Sequence, residues 1–192
     1  MGREFELKFQ AEPQVLEAIS HQYADFHPIT METHYYDTPS RALGRRRWTL
    51  RRRLENGVSV CGLKTPGVND IRGEWETENK DMQAGLKDLC TQDVPQDFPV
   101  LLQEGLVEVC GARFTRLACL HTWGSTQVEI ALDQGVFLGG GREKPFSEVE
   151  VELKAGTRQE AEAFGEALAA QYGLKPETVS KFERALALAQ EG

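Results

Sequence analysis

No hydrophobic run in this chain approaches the roughly 18 apolar residues of a membrane span, so a helical membrane protein is not expected. The N-terminus also lacks the apolar stretch of a secretory signal, and export is not expected either. Cysteine is scarce: Cys61, Cys90, Cys110 and Cys119 show no CxxC spacing and resemble no zinc site. Reduced thiols in a cytoplasmic protein are the natural reading. The four histidines, His21, His27, His34 and His121, are scattered and read as surface or packing residues. Gly139-Gly140-Gly141 is not followed by a Lys-Ser/Thr pair, which removes a phosphate-binding P-loop. Ser59 and Ser147 have no histidine near them in sequence, and Cys61 alternates with Leu63 as a small core residue would; no nucleophile stands out. The net charge of −8 argues against general nucleic-acid binding.

What the chain does have is charge in ordered stripes. Glu4-Phe5-Glu6-Leu7-Lys8-Phe9 alternates charged and apolar residues strictly. Successive side chains of a strand point to opposite faces, so Glu4, Glu6 and Lys8 share one face and the apolar residues the other. Carboxylates two residues apart on a strand stand roughly 6.6 Å from each other, within reach of one divalent cation or two adjacent ones. The pattern recurs in Glu129 and Asp133, and in Glu148, Glu150 and Glu152. Gathered carboxylates raise one another's pKa and repel, and a hard cation such as Mg²⁺ or Mn²⁺ relieves that. A solvent-facing stripe is the plain alternative for any one of them; three in one small chain favour a shared site.

The basic stripes are as dense. Residues 41–53 hold Arg41, Arg45, Arg46, Arg47, Arg51, Arg52 and Arg53. Arg51 and Arg53 share a strand face, whereas Arg52 has the opposite parity and points outward. With Lys8, Lys64, Arg72, Arg116 and Lys181 they form a set suited to a run of phosphates, since guanidinium forks match phosphate oxygens and lysine adds point charge.

The order of elements implies an α+β chain in a single domain spanning 1–192. Strands are expected near 3–9, 29–37, 47–54, 58–65, 70–78, 107–122, 126–133 and 145–154, with a strong hairpin turn at Asn56-Gly57. Helical spacing marks 13–24, one or two helices in an insertion at about 81–105, and C-terminal helices at about 157–189, the first capped by Thr157 and stopped by Gly173. Eight strands joined by short turns predict an antiparallel barrel, which has no free edges. Charge clustered by sign on one face predicts that this face looks inward, with helices covering the outside. Trp48, Trp75 and Trp123 are expected in core or exterior packing.

These segments resemble a known family. Glu4-x-Glu6-x-Lys8 is similar to the ExExK signature of the CYTH superfamily, the triphosphate tunnel metalloenzymes. The likeness continues through Tyr35-Tyr36-Asp37-Thr38-Pro39, Leu50-Arg51-Arg52-Arg53, Gly62-Leu63-Lys64, Arg72-x-Glu74, Phe114-Thr115-Arg116, Glu129-Ile130-Ala131-Leu132-Asp133-Gln134-Gly135, Glu148-x-Glu150 and Ser180-Lys181. The branch it resembles is that of bacterial inorganic triphosphatases. The resemblance implies an eight-stranded tunnel and metal-dependent hydrolysis of triphosphate, with two Mg²⁺ or Mn²⁺ ions. It implies that Lys8, Arg51, Arg53, Lys64, Arg72, Arg116 and Lys181 hold the polyphosphate, and that Glu4, Glu6, Glu129, Asp133, Glu148 and Glu150 hold metal. Lys8, Glu6, Arg53 and Glu74 would be nearest the chemistry. Glu152 leaves the register open, because the metal pair could instead be Glu150 and Glu152. Thiamine triphosphatase and class IV adenylate cyclase share the tunnel and remain alternatives, with Trp75 or Phe137 as candidates to stack an organic group. A non-catalytic polyphosphate-binding module is the alternative of another kind. A homodimer is an expectation by analogy alone. Many relatives of this branch carry a further histidine-rich helical domain, which is expected to be absent from this chain or to lie outside it.

Overall fold

A computed structural model describes residues 5–68 and 71–191, without the side chains at 67, 68, 71 and 72. The elements run β1 (Glu6–Gln10), α1 (Pro13–Gln22), β2 (His27–Asp37), α2 (Ala42–Arg45), β3 (Thr49–Glu55), β4 (Val58–Val68), β5 (Ile71–Glu78), α3 (Met82–Leu89) and α4 (Phe98–Leu101). A short 3₁₀ turn, Leu102–Glu104, leads to β6 (Val107–Trp123), β7 (Thr126–Gly139), β8 (Arg142–Ala155), α5 (Arg158–Tyr172), β9 (Lys175–Pro176) and α6 (Lys181–Gln190). No described helix is long and apolar enough to cross a membrane.

The class is α+β and the sheet is antiparallel, in the order β5-β4-β3-β2-β6-β7-β8-β1-β9. It has nine described strands, one more than the alternation predicts. The extra strand is the two-residue β9, which pairs with β1 at Gln10 and Phe9. Short pieces of this kind carry no periodicity to read. Nor, among the described residues, do hydrogen bonds close the ladder: β5 and β9 are its ends. Pro176 has no N–H to donate, which suits an edge.

Local signals act where expected. Asn56 and Gly57 both have positive φ, 49° and 86°, as the tight turn between β3 and β4 requires. The Thr157 hydroxyl accepts from Glu160 N, and Gly173 ends α5 in the left-handed conformation at φ 65°. The β7–β8 hairpin extends to the glycine run itself, pairing Gly139 with Arg142. The strands there are therefore longer than the charge pattern alone suggests.

Register puts the charged stripes on one face. Lys64 pairs with Thr49, Arg51 with Tyr35, Arg53 with Thr33, Arg116 with Asp133, Asp133 with Glu148, Lys8 with Glu150, and Glu6 with Glu152. Arg52 falls on the opposite face, where its Nε donates to Ser59 Oγ. The outer face is apolar. α1 and α5 cover Phe9, Ile130, Val149 and Val151 with Leu16, Ile19, Phe164 and Leu168. The other half, Leu50, Cys61 and Leu63, is covered by Leu89 of α3 and Phe98 of α4.

One helix departs from the outward expectation. α6 packs on the charged face, its Ala185 and Leu188 against Met31, Tyr35, Ala112, Phe114 and Phe137. The inner face has an apolar stretch beside its charged one, and α6 buries that stretch. Helical spacing reveals an apolar stripe but not which side of a sheet receives it.

Candidate functional site

A cavity of about 690 Å³ opens on the inner face. Lys8, Arg51, Arg53, Lys64, Arg116 and Lys181 line it, together with Glu6 and Glu150. Six of the seven expected basic residues thus share one space. The Arg72 side chain and Glu4 lie outside the described residues. Glu74 is not in the lining but reaches it through two partners: Lys64 Nζ at 2.9 Å and Arg51 at 3.6 Å. Glu76 lies one step further along β5 and accepts from Arg51 Nη2 at 2.7 Å. Arg53 is held by Glu55 at 2.5 Å.

The carboxylates form two groups. In the first, Asp133, Glu148 and Glu150 are buried and offer oxygens within 4.8 Å of one another. Arg116 grips Asp133 with two bonds, Nε to Oδ1 at 2.8 Å and Nη2 to Oδ2 at 2.7 Å, and touches Glu150 at 2.5 Å. Lys181 Nζ lies 2.7 Å from Asp133 and from Glu150 and also contacts Glu148. Arg184 completes the set through Glu148. Three carboxylates are thus matched by three cationic side chains.

The second group is a row across three strands: Glu6 on β1 pairs with Glu152 on β8, which pairs with Glu129 on β7. Lys154 reaches Glu152 at 2.8 Å and Glu129 at 3.6 Å, and Lys8 lies 3.5 Å from Glu6. Glu152 therefore shares the inner face with Glu148 and Glu150. Glu148 is fully buried, whereas Glu150 meets the cavity.

Electrostatics follows this packing. Burial pushes the Glu150 carboxyl up, but Lys181 and then Arg116 outweigh it and hold it well below the usual range. Burial pulls Lys181 down, and Glu150, Asp133 and Glu148 together hold it above an ordinary lysine. Arg116 is likewise raised against burial, chiefly by its hydrogen bonds to Asp133. Arg53 goes the other way: burial and the neighbouring Arg51 charge both lower it. Its Nε is buried without a hydrogen-bond acceptor.

The sequence pattern does not reveal the roles of two further residues. Arg184 follows Lys181 by three residues, a spacing that puts both on one helix face. Asp37 reads as a turn residue, yet it is buried and anchors the loop that carries α2. Its Oδ1 accepts from Thr38 N at 2.7 Å and Leu43 N at 2.9 Å, and its Oδ2 from Gly44 N at 3.1 Å. A Cβ at Gly44 would stand 2.8 Å from that Oδ2. The candidates for organic recognition are occupied elsewhere. Trp75 sits on the outer face and donates Nε1–H to Asp93, and Phe137 stacks on Phe146 at 4.1 Å beneath α6.

Comparison with known proteins yields a consistent picture. A family model described as the CYTH domain matches residues 2–186. An inorganic triphosphatase of Haemophilus influenzae is 29% identical over 200 residues, covering 96% of this chain and 54% of the relative. The chain thus spans about half the length of that protein. Among solved structures, a Hippeastrum protein with a dominant triphosphatase activity superposes with a TM-score of 0.67 at 18% identity, covering 97% of this chain and 95% of that one. A Pyrococcus horikoshii protein superposes at 0.65 with 25% identity, covering 96% and 98%.

Proposed function

The chain belongs to the CYTH domain family, and from that premise we propose that it hydrolyses inorganic triphosphate to pyrophosphate and phosphate. The observation that carries the reading is the convergence of Lys8, Arg51, Arg53, Lys64, Arg116 and Lys181 on one cavity that also holds Glu6 and Glu150. A linear anion with several charges per unit is the ligand such a set recognises. The Haemophilus relative's name agrees with this. Trp75 on the outer face and Phe137 stacked on Phe146 do not offer a ring to an organic group, whereas Trp48, Phe114 and Phe182 line the cavity, so turnover of inorganic against organic triphosphates is the deciding comparison.

Arg51 and Arg53 fix the phosphate chain from β3, Lys64 from β4, Arg116 from β6, and Lys8 and Lys181 from the acidic side. Such fixed donors stabilise charge that develops as the terminal phosphoryl group transfers. The water oxygen bonds to the terminal phosphorus, the bond to the bridging oxygen breaks, and pyrophosphate leaves with the electron pair. The water's proton passes to a carboxylate, Glu6 in the lining or Glu74 behind Lys64 and Arg51.

The donor set is all carboxylate oxygen, which fits a hard divalent cation. Glu6 and Glu150, with Glu129, Asp133 and Glu148 behind them, are the described residues that would hold Mg²⁺ or Mn²⁺, and Glu4, outside the described residues, completes the expected set. The bound cation would offset phosphate charge and acidify water. The buried trio already binds Arg116, Lys181 and Arg184, so a cation seated there would compete with Lys181.

Phosphate release from tripolyphosphate, adenosine triphosphate, thiamine triphosphate and long-chain polyphosphate, assayed side by side, tests the reading. Tripolyphosphate is expected to be turned over fastest, and activity to vanish in excess EDTA. Full activity in EDTA, or preference for an organic triphosphate, would overturn it.

A further inference from the structure

The cavity has cationic lining that the triphosphate reading does not use. Arg41, Arg45 and Arg47, from the loop that carries α2, also face it. The Glu74, Glu76, Asp133 and Glu150 carboxylates occupy the deeper cations. Among the described residues neither Arg41 nor Arg47 has a carboxylate within 4.0 Å, although the chain carries an excess of acid. Arg46, with the neighbouring parity, pairs instead with Asp97 at 2.9 Å.

Two further observations set this loop apart from an ordinary exposed basic stretch. Arg41 and Arg47 both adopt left-handed backbone, at φ 60° and 59°. That conformation is unfavourable for a residue with a Cβ and is the usual province of glycine. Arg47 occupies the helix-ending position, its N–H bonded to Gly44 O, where glycine would be easier. The loop is also held rigidly. Asp37 binds three of its amides, the Thr38 hydroxyl accepts from Ala42 N at 2.9 Å, and Glu104 receives Ser40 N at 2.9 Å and Ser40 Oγ at 2.7 Å. Strained residues in a fixed loop at a cavity rim are characteristic of sites that position a ligand.

We infer that Arg41 and Arg47, supported by Arg45, form an outer anion subsite that extends the phosphate channel beyond Arg51 and Arg53 and binds the further units of linear polyphosphates longer than three. The inference rests on the polyphosphate reading of the deeper site. Arg47 precedes β3 and continues the series Arg53, Arg51 outward past Thr49, so a chain anchored at its terminal phosphate presents its later units to this rim. A cavity of about 690 Å³ has room for them.

The double variant Arg41→Gly/Arg47→Gly removes both guanidinium groups and eases both left-handed positions, so folding is not at risk on that account. Steady-state kinetics with tripolyphosphate and with long-chain linear polyphosphate then separates the subsites. The KM for long-chain polyphosphate is expected to rise about tenfold, while kcat/KM for tripolyphosphate stays within about twofold. Because the rim is exposed, the difference should shrink as ionic strength rises. Equal loss on both substrates, or no loss on either, overturns the inference. If the native protein turns over neither substrate, the hydrolase reading falls and calorimetric titration with long-chain polyphosphate decides. Weaker binding by the double variant then upholds the subsite, and unchanged binding removes it.

Discussion

Lys181→Met is the perturbation with the largest consequence for stability. Among the described residues, Lys181 is the one cation that touches all three members of the buried carboxylate trio. Asp133 and Glu148 are 0% exposed and Glu150 8%. Methionine keeps the volume and deletes the charge, leaving three carboxylates to share Arg116 and Arg184. Breaking a buried ion pair by removing one partner costs about 3–5 kcal/mol, because the remaining charge is desolvated and uncompensated. The cost should depend on pH in a definite sense. In the native protein Glu150 is depressed, so its contribution is present above the unfolded carboxylate pKa of about 4.3 and is lost only as pH falls through its lower folded value. Lys181 is raised, so its contribution is present below about pH 10.4 and fades only as pH rises through its folded value. Native stability from this cluster is therefore flat across neutral pH. In the variant, mutual repulsion raises one carboxyl above its unfolded value, so folding takes up a proton and the penalty grows with pH. Each unit of that rise is worth about 1.4 kcal/mol. Urea unfolding of both proteins at pH 8 and at pH 5, in EDTA, reads the effect directly. The expected result is a deficit of about 3–5 kcal/mol at pH 8 that narrows at pH 5. A deficit below about 1 kcal/mol, or one indifferent to pH, would refute the reasoning.

Four other outcomes are expected. Arg53→Ala should lower kcat/KM for tripolyphosphate by about 10²–10³-fold, since it removes a fixed donor to the transferring group; phosphate release measures it. Glu76→Gln should lower the KM for tripolyphosphate, because Glu76 occupies Arg51 at 2.7 Å and also stands 3.7 Å from Arg53; a raised KM would show that Glu76 orients them for substrate instead. Asp37→Ala should cost about 3 kcal/mol in urea unfolding, as the amides of Thr38 and Leu43 lose their acceptor in a buried position. Gly85→Ala should cost about 1–3 kcal/mol, read as a lowered Tm, because the added methyl would clash with Cys61 Sγ in the core between α3 and the sheet.

Much of the site was legible because strand parity is a strong constraint. Once Glu6 and Lys8, Arg51 and Arg53, and Glu148 and Glu150 are each placed two apart on strands, their common face follows, and register then brings the faces together. Parity also puts Arg52 outside. What parity does not contain is the third dimension of packing. It gives no sign that α6 enters the inner face, because the same apolar stripe would serve on either side of the sheet. It likewise cannot distinguish Glu148 from Glu150 and Glu152. All three share a face, and only their neighbours separate them: Arg184 and Lys181 enclose Glu148, the cavity meets Glu150, and Glu152 leans to Lys154. Asp37 was hidden for a different reason. A buried carboxylate that accepts three amide hydrogens looks, in sequence, like any aspartate before a turn.

Sheet order explains why the cavity is charged by halves. β3 and β4 carry Arg51, Arg53 and Lys64 near one end of the sheet, while β7, β8 and β1 carry Asp133, Glu150 and Glu6 near the other. Each half is neutralised locally rather than across the cavity: the basic half by Glu55, Glu74 and Glu76, the acidic half by Arg116, Lys181 and Arg184. Charges left bare in so enclosed a space would be strongly unfavourable, so an empty site needs these partners to fold. On the proposed reading, ligand binding would be an exchange of ion pairs. Phosphate oxygens would take Arg51 and Lys64 from their glutamates, and a divalent cation would take carboxylates from their lysines. Each exchange would release a glutamate or a lysine from its partner, so a glutamate freed from Arg51 or Lys64 would have to turn to water or to a new cation, at the kind of cost a broken buried pair carries.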